Sequence, residues 1–136
     1  MHSLPSIGQV SPQFSLDDFR WQYRILLVFA PDPEDVDYVK VMDRVRQTKR
    51  DFDDRDMLMV EVVGVTVRVA DSLDVSPPAA EQLRVGFSVS VDDFQVLLIG
   101  KDGGVKARSG SPHVLPEIYA LIDTMPMRRL EMKRRE

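Results

Sequence analysis

Apolar and polar positions along this chain fall into short blocks of two kinds. Arg24-Ile25-Leu26-Leu27-Val28-Phe29-Ala30 is an apolar run behind one arginine, too short for a buried helix and rich in β-branched and aromatic residues. It predicts a strand covered on both faces, as in a parallel or mixed sheet, with Pro31 as its stop. Met57 to Val63 predicts a second such strand, ended by Gly64, and Phe94 to Ile99 a third. Between the first two strands, Tyr38, Val41, Met42 and Val45 recur at intervals of three and four, and Phe52 closes the stripe. Asp37, Lys40, Asp43, Arg44 and Gln47 fill the other side, so the spacing predicts a helix from about Glu34 to about Asp51.

The remaining blocks are shorter. Leu16, Phe19 and Trp21 suggest a helical turn or packed arm that buries Trp21. Val65, Val67 and Val69 alternate with polar residues and either prolong the second strand or make a short ribbon; Asp71 to Pro78 reads as a loop. Pro78 suits the first turn of a helix over Ala79 to Val85. Lys101-Asp102-Gly103-Gly104 signals a hairpin, because an Asp-Gly pair supplies the backbone angles of a tight turn, and Val105 to Arg108 returns from it. Pro116 opens a helix through Ile122, and Pro126 breaks it before a last helix, Met127 to Arg135. The order β-α-β-α-β-β-α describes an α/β domain with a mixed central sheet of about four to five strands flanked by helices. Residues 1–15, rich in Ser, Pro and Gln, read as a flexible lead-in, and 16–136 as a single domain.

Composition narrows the chemistry. With 136 residues, 43% of them hydrophobic, the chain is long enough for one core and too short for two. It has no cysteine, which removes thiol nucleophiles, disulfide exchange and zinc–thiolate sites together. A net charge of -4 gives no general attraction to nucleic acid or anionic lipid. Two histidines, His2 and His113, cannot form an all-histidine metal site, and His113 stands in a loop without a serine nucleophile motif. No apolar run reaches the roughly 20 residues a bilayer span requires. Met1 to Val10 has no basic segment followed by an apolar one, so the chain is either cytoplasmic or has lost an export signal.

Several polar clusters invite a functional reading beside a plainer one. Asp32, Glu34, Asp35 and Asp37 could offer oxygens to calcium, but acids at a helix start also stabilise it by about 0.3–1 kcal/mol each. Asp51 to Asp56 faintly resembles a calcium loop, yet it lacks the glycine that loop needs at its sixth position, and Val62 stands where it needs a final acid. Gly100 to Gly104 could be read as phosphate-binding, yet it joins two strands rather than a strand and a helix. The tail carries Arg128, Arg129, Lys133, Arg134 and Arg135, a basic stretch that could dock a partner's carboxylate. Alternatively, Arg128 or Arg129 bonds Asp123 and fixes the tail against the body. Arg128, Arg129 and Lys101 are the candidate binding residues; no catalytic residue, metal ligand or cofactor is assigned.

Four segments carry a resemblance: RWQYRILLVFAP (20–31), LMVEVVG (58–64), LLIGKDGGVK (97–106) and LIDTMPMRRLEMKRR (121–135). They resemble a bacterial domain of unknown function that also occurs in vertebrate sushi-repeat-containing proteins and coiled-coil-domain-containing protein 80. Ile122-Asp123, Pro126 and Arg128-Arg129 form its most specific part. The resemblance implies a thioredoxin-like fold related to peroxiredoxins, and a periplasmic or secreted location. In redox-active members of that fold a reactive cysteine follows the first core strand; here the stretch reads Pro31-Asp32-Pro33-Glu34-Asp35. The proline such folds carry before the third strand is missing as well, since none lies between Pro78 and Pro112. The expected function is therefore a non-catalytic protein-binding module, acting through the sheet edge or the C-terminal arginines. The alternative is an enzyme of peroxiredoxin-like ancestry with non-thiol or lost redox activity. A protein partner is expected, nucleic acid is not, and the oligomeric state stays open.

Overall fold

A computed structural model describes residues 15–135. Six strands form one mixed sheet in the order β4-β3-β2-β1-β5-β6. The two central strands, β1 (Arg24–Ala30) and β2 (Met57–Val63), are parallel, and their positions agree with the sequence reading. Both are buried on both faces, which is why each appears in the sequence as an uninterrupted apolar run. β5 (Gln95–Ile99) pairs antiparallel with β1 on the other side and continues through the Gly103 turn into β6 (Val105–Ser109).

The sheet has more strands than the expected four to five. The alternating valines form β3 (Thr66–Val69), an antiparallel neighbour of β2, and the segment expected as a loop contains β4 (Ser72–Val75). β4 escaped notice because Leu73 and Val75, its apolar residues, are exposed and so mark no buried face. The expected long helix is two: α1 (Val36–Gln47) and α2 (Lys49–Asp54). The break falls at Thr48, whose hydroxyl donates back to the Arg44 carbonyl at 2.7 Å, a local bond that competes with helix continuation. α3 (Pro77–Phe87) follows β4, starting under the Ser76 cap, and α4 (Leu115–Asp123) and α5 (Pro126–Arg134) close the chain.

Two apolar clusters sandwich the sheet. One gathers Leu26, Val28, Met59, Val96 and Leu98 with Val41, Val45 and Phe52 of the α1–α2 side and Ile118 and Ile122 of α4. The other gathers Ile25, Leu27, Phe29, Val62 and Val67 with Ala79, Ala80 and Leu83 of α3, and takes in Leu16 and Phe19 of a 3-10 turn, Leu16–Phe19. Trp21 does not join them, contrary to expectation: it is 59% exposed. Its backbone donates to the Lys101 carbonyl at 2.7 Å in a left-handed conformation (φ 71), and its ring lies outside under the Arg20 guanidinium. Among the described residues no helix is long and apolar enough to cross a membrane.

Candidate functional site

Polar groups concentrate in three places: the two poles of the sheet and one groove. At the pole where β1 and β2 begin, two of the three candidate binding residues turn inward. Arg128 of α5 is 2% exposed; its guanidinium donates to Asp123 Oδ1 at 3.1 Å and to Asp54 Oδ2 at 2.6 Å. Lys101, 8% exposed, donates to Asp56 Oδ2 at 2.9 Å and Glu131 Oε2 at 2.8 Å. Arg24 holds both oxygens of Glu131 at 3.0 and 3.1 Å. Arg55 grips Asp123, and Arg135 reaches Asp54 and Asp56. Arg129 alone of the three is exposed, and its side chain makes no ion pair among the described residues.

This lattice fastens α5 to the body. Arg128 is the helix's only fully buried residue, so charge rather than apolar packing holds it. Burial pushes the Glu131 carboxyl up, but the hydrogen bonds from Arg24 and Lys101 outweigh it and leave the group below the usual range. Asp123 is lowered in the same way by Arg55 and Arg128. The Ile122-Asp123 … Arg128 motif is thus a clamp, in keeping with the internal bond to Asp123 that the sequence left open.

At the opposite pole, where β1 and β2 end, Arg84 of α3 is buried. Its guanidinium donates to the Gly64 carbonyl at 2.6 Å and the Ala30 carbonyl at 3.2 Å, bracing the ends of β1 and β2. Among the described residues no carboxylate pairs with it and its Nε has no partner, and burial lowers its pKa. The acidic turn beside it caps α1: Asp35 accepts from the Tyr38 amide at 3.0 Å and Asp32 from the Glu34 amide at 2.8 Å. Among the described residues no group of acids or histidines is gathered as a metal site.

The groove lies between α1 and the β2–β3 face, with a volume of about 660 Å³. Glu61, in the middle of β2, is 3% exposed and accepts a short hydrogen bond from the Tyr38 hydroxyl of α1. Arg68, opposite it on β3, approaches Glu61 Oε2 at 3.7 Å. Burial raises the Glu61 pKa, against the Tyr38 hydrogen bond and the charges of Arg68 and Arg46. The Tyr38 hydroxyl is raised too, by burial and by Glu61. The sequence reading passed over Glu61. The signal was there: it is the one charged residue inside an otherwise apolar strand.

Beyond Arg68 the same sheet face is exposed at Leu73 and Val75. Register places Leu73 of β4 next to Arg68, and Val75 next to Thr66, so the two exposed apolar residues share the face that carries Glu61.

Comparison with known proteins bears on the whole chain. It is 32% identical over 130 residues to sushi repeat-containing protein SRPX of Homo sapiens, covering 93% of this chain and 28% of that protein. It is 28% identical over 133 residues to coiled-coil domain-containing protein 80 of Danio rerio, covering 86% of this chain and 15% of that protein. The chain therefore spans less than a third of the length of these curated relatives. Among solved structures, thioredoxin peroxidase I of Plasmodium yoelii superposes with a TM-score of 0.60 at 18% identity, over 80% of this chain and 76% of that one. The fold is accordingly thioredoxin-like, of the peroxiredoxin kind. Residues 15–131 match the domain of unknown function DUF4174, and the chain belongs to that family.

Proposed function

We propose that this domain is a non-catalytic recognition module that binds a partner polypeptide along the outer edge of β4. The observation that carries this reading is the contrast between the two sheet edges. At β6, Arg108 is folded back onto the Phe87 and Ser88 carbonyls, Lys106 pairs with Asp102, and an irregularity at Leu98/Ile99 interrupts the register. Charges and bulges of this sort keep an edge from pairing with other chains. β4 carries no lysine, arginine or proline, its one charged residue being Asp74, and presents Leu73 at 46% and Val75 at 66% exposure. An added strand would gain backbone hydrogen bonds from the edge and specificity from alternate side chains beside these two.

Two further features support a binding role over turnover. The stretch after β1, where redox-active members of this fold carry their cysteine, reads Pro31-Asp32-Pro33-Glu34-Asp35, and the chain has no cysteine at all. The cationic groups of Arg128 and Lys101 are taken up internally, which favours the edge over the C-terminal arginines as the contact.

The test is affinity capture with the purified domain beside a Leu73→Lys, Val75→Lys variant, followed by hydrogen exchange of the β4 amides with the captured protein. Partners lost with the variant, together with slowed exchange in β4, are the expected result. Capture unaffected by the variant, or protection confined to another surface, would overturn the edge reading.

A further inference from the structure

The groove beside Tyr38 and Glu61 has a chemistry that strand addition at the edge does not use. Its walls are apolar: Met42 and Phe52 from the helical side, Met57 and Met59 from β2. Methionine is unbranched and polarisable, and adapts to irregular hydrocarbon shapes. At about 660 Å³ the space matches small-molecule sites, which run from roughly 300 to 1,000 Å³.

Three cations and the acid Asp71 rim this apolar floor. Arg46 and Lys49 are engaged with Asp43 and Asp53 on the solvent side of the helices. Arg68 is different. Its contact with Glu61, at 3.7 Å, is too long for a hydrogen bond, and its guanidinium donates none among the described residues. A guanidinium with free donors presents a planar fork that fits a carboxylate two-to-two. Glu61 competes for it weakly, because its Oε1 is taken by the Tyr38 hydroxyl and its Oε2 stands outside hydrogen-bond reach of the guanidinium.

We infer that this groove binds an apolar monocarboxylic acid, its hydrocarbon body against Met42, Phe52, Met57 and Met59 and its carboxylate on Arg68. The inference stands apart from the β4 edge, and either can fail alone.

The experiment is a titration of the domain, labelled with carbon-13 at the methionine methyls, with decanoate and with 1-decanol as the uncharged control. Decanoate should shift the Met42, Met57 and Met59 methyls saturably, and decanol should bind about tenfold more weakly, the ratio expected for losing one charge-assisted contact. Arg68→Gln should weaken decanoate about tenfold and leave decanol unchanged. The Leu73→Lys, Val75→Lys variant should bind decanoate as the parent does, which separates this site from the edge. Equal affinity for acid and alcohol, indifference to Arg68→Gln, shifts confined to Met125, Met127 and Met132, or no saturable shift would each overturn the inference.

Discussion

Arg24 at the start of β1 and Glu131 in α5, 107 residues apart, meet in a two-pronged ion pair at 3.0 and 3.1 Å, with the arginine side chain only 1% exposed. Lys101 binds the same carboxylate but also holds Asp56, whereas Glu131 is the one anionic partner of Arg24 among the described residues. Removing Glu131 strands the buried Arg24 without a counter-ion. Glu131→Ala is expected to lower the unfolding free energy by about 3–5 kcal/mol. Converting the pair together, Arg24→Met with Glu131→Leu, should recover most of that loss, since Lys101 keeps Asp56. Urea denaturation of the three proteins checks both; a loss below about 1 kcal/mol for Glu131→Ala would show the clamp to be energetically idle.

Acid should undo the clamp. Glu131 and Asp123 have folded pKa values below their unfolded ones, so the stability they confer is complete above the unfolded values of about 4.3 and 3.9. It is lost as pH falls through the lower, folded values. Unfolding midpoints measured from about pH 7 down to about pH 2 should therefore hold level and then drop, and the drop should be shallower in Glu131→Ala. A parallel decline in both proteins would remove Glu131 from the account.

Glu61 has the opposite sign. Its folded pKa is raised, so the folded state disfavours its ionisation, and the cost sets in as pH climbs past the unfolded value of about 4.3. Glu61→Gln retains an oxygen for the Tyr38 hydroxyl and carries no charge. It should be more stable than the parent near pH 7, with the gap closing near pH 3. Thermal melts at the two pH values decide this, and a variant less stable at both would mean that the Arg68 contact outweighs burial.

Ser88, the residue after α3, is left-handed (φ 56, ψ 47). A side chain in that region is strained by roughly 1–2 kcal/mol, part of which glycine returns through its looser unfolded chain. Ser88→Gly should raise stability by about 0.5 kcal/mol in urea denaturation. A loss instead would mean that the hydroxyl matters to the turn.

How far these features were legible in the sequence depended on what each residue type signals by itself. β1 and β2 could be read to their ends because burial on both faces leaves an unbroken apolar run. β4 could not, since an edge strand with outward leucine and valine has no burial pattern to display. Trp21 was expected inside on hydrophobicity alone, whereas a backbone bond to Lys101 fixes its direction. The clamp was half visible: the Asp123–Arg128 contact spans five positions and showed in the local motif, while Arg24–Glu131 spans the domain and left no local trace. Arg84 on α3 gave no sign of its role, because the carbonyls it braces, of Gly64 and Ala30, lie 20 and 54 residues away.

The reach of the Arg24–Glu131 pair also bears on the order of events in folding. A contact across 107 positions closes a very large loop, so its entropic cost falls due before the charges can repay it. Sheet and flanking helices can assemble first, with α5 docking as the closing event. Replacing Glu131 should then act mainly on the unfolding rate, speeding escape from the native state while leaving the refolding rate nearly intact.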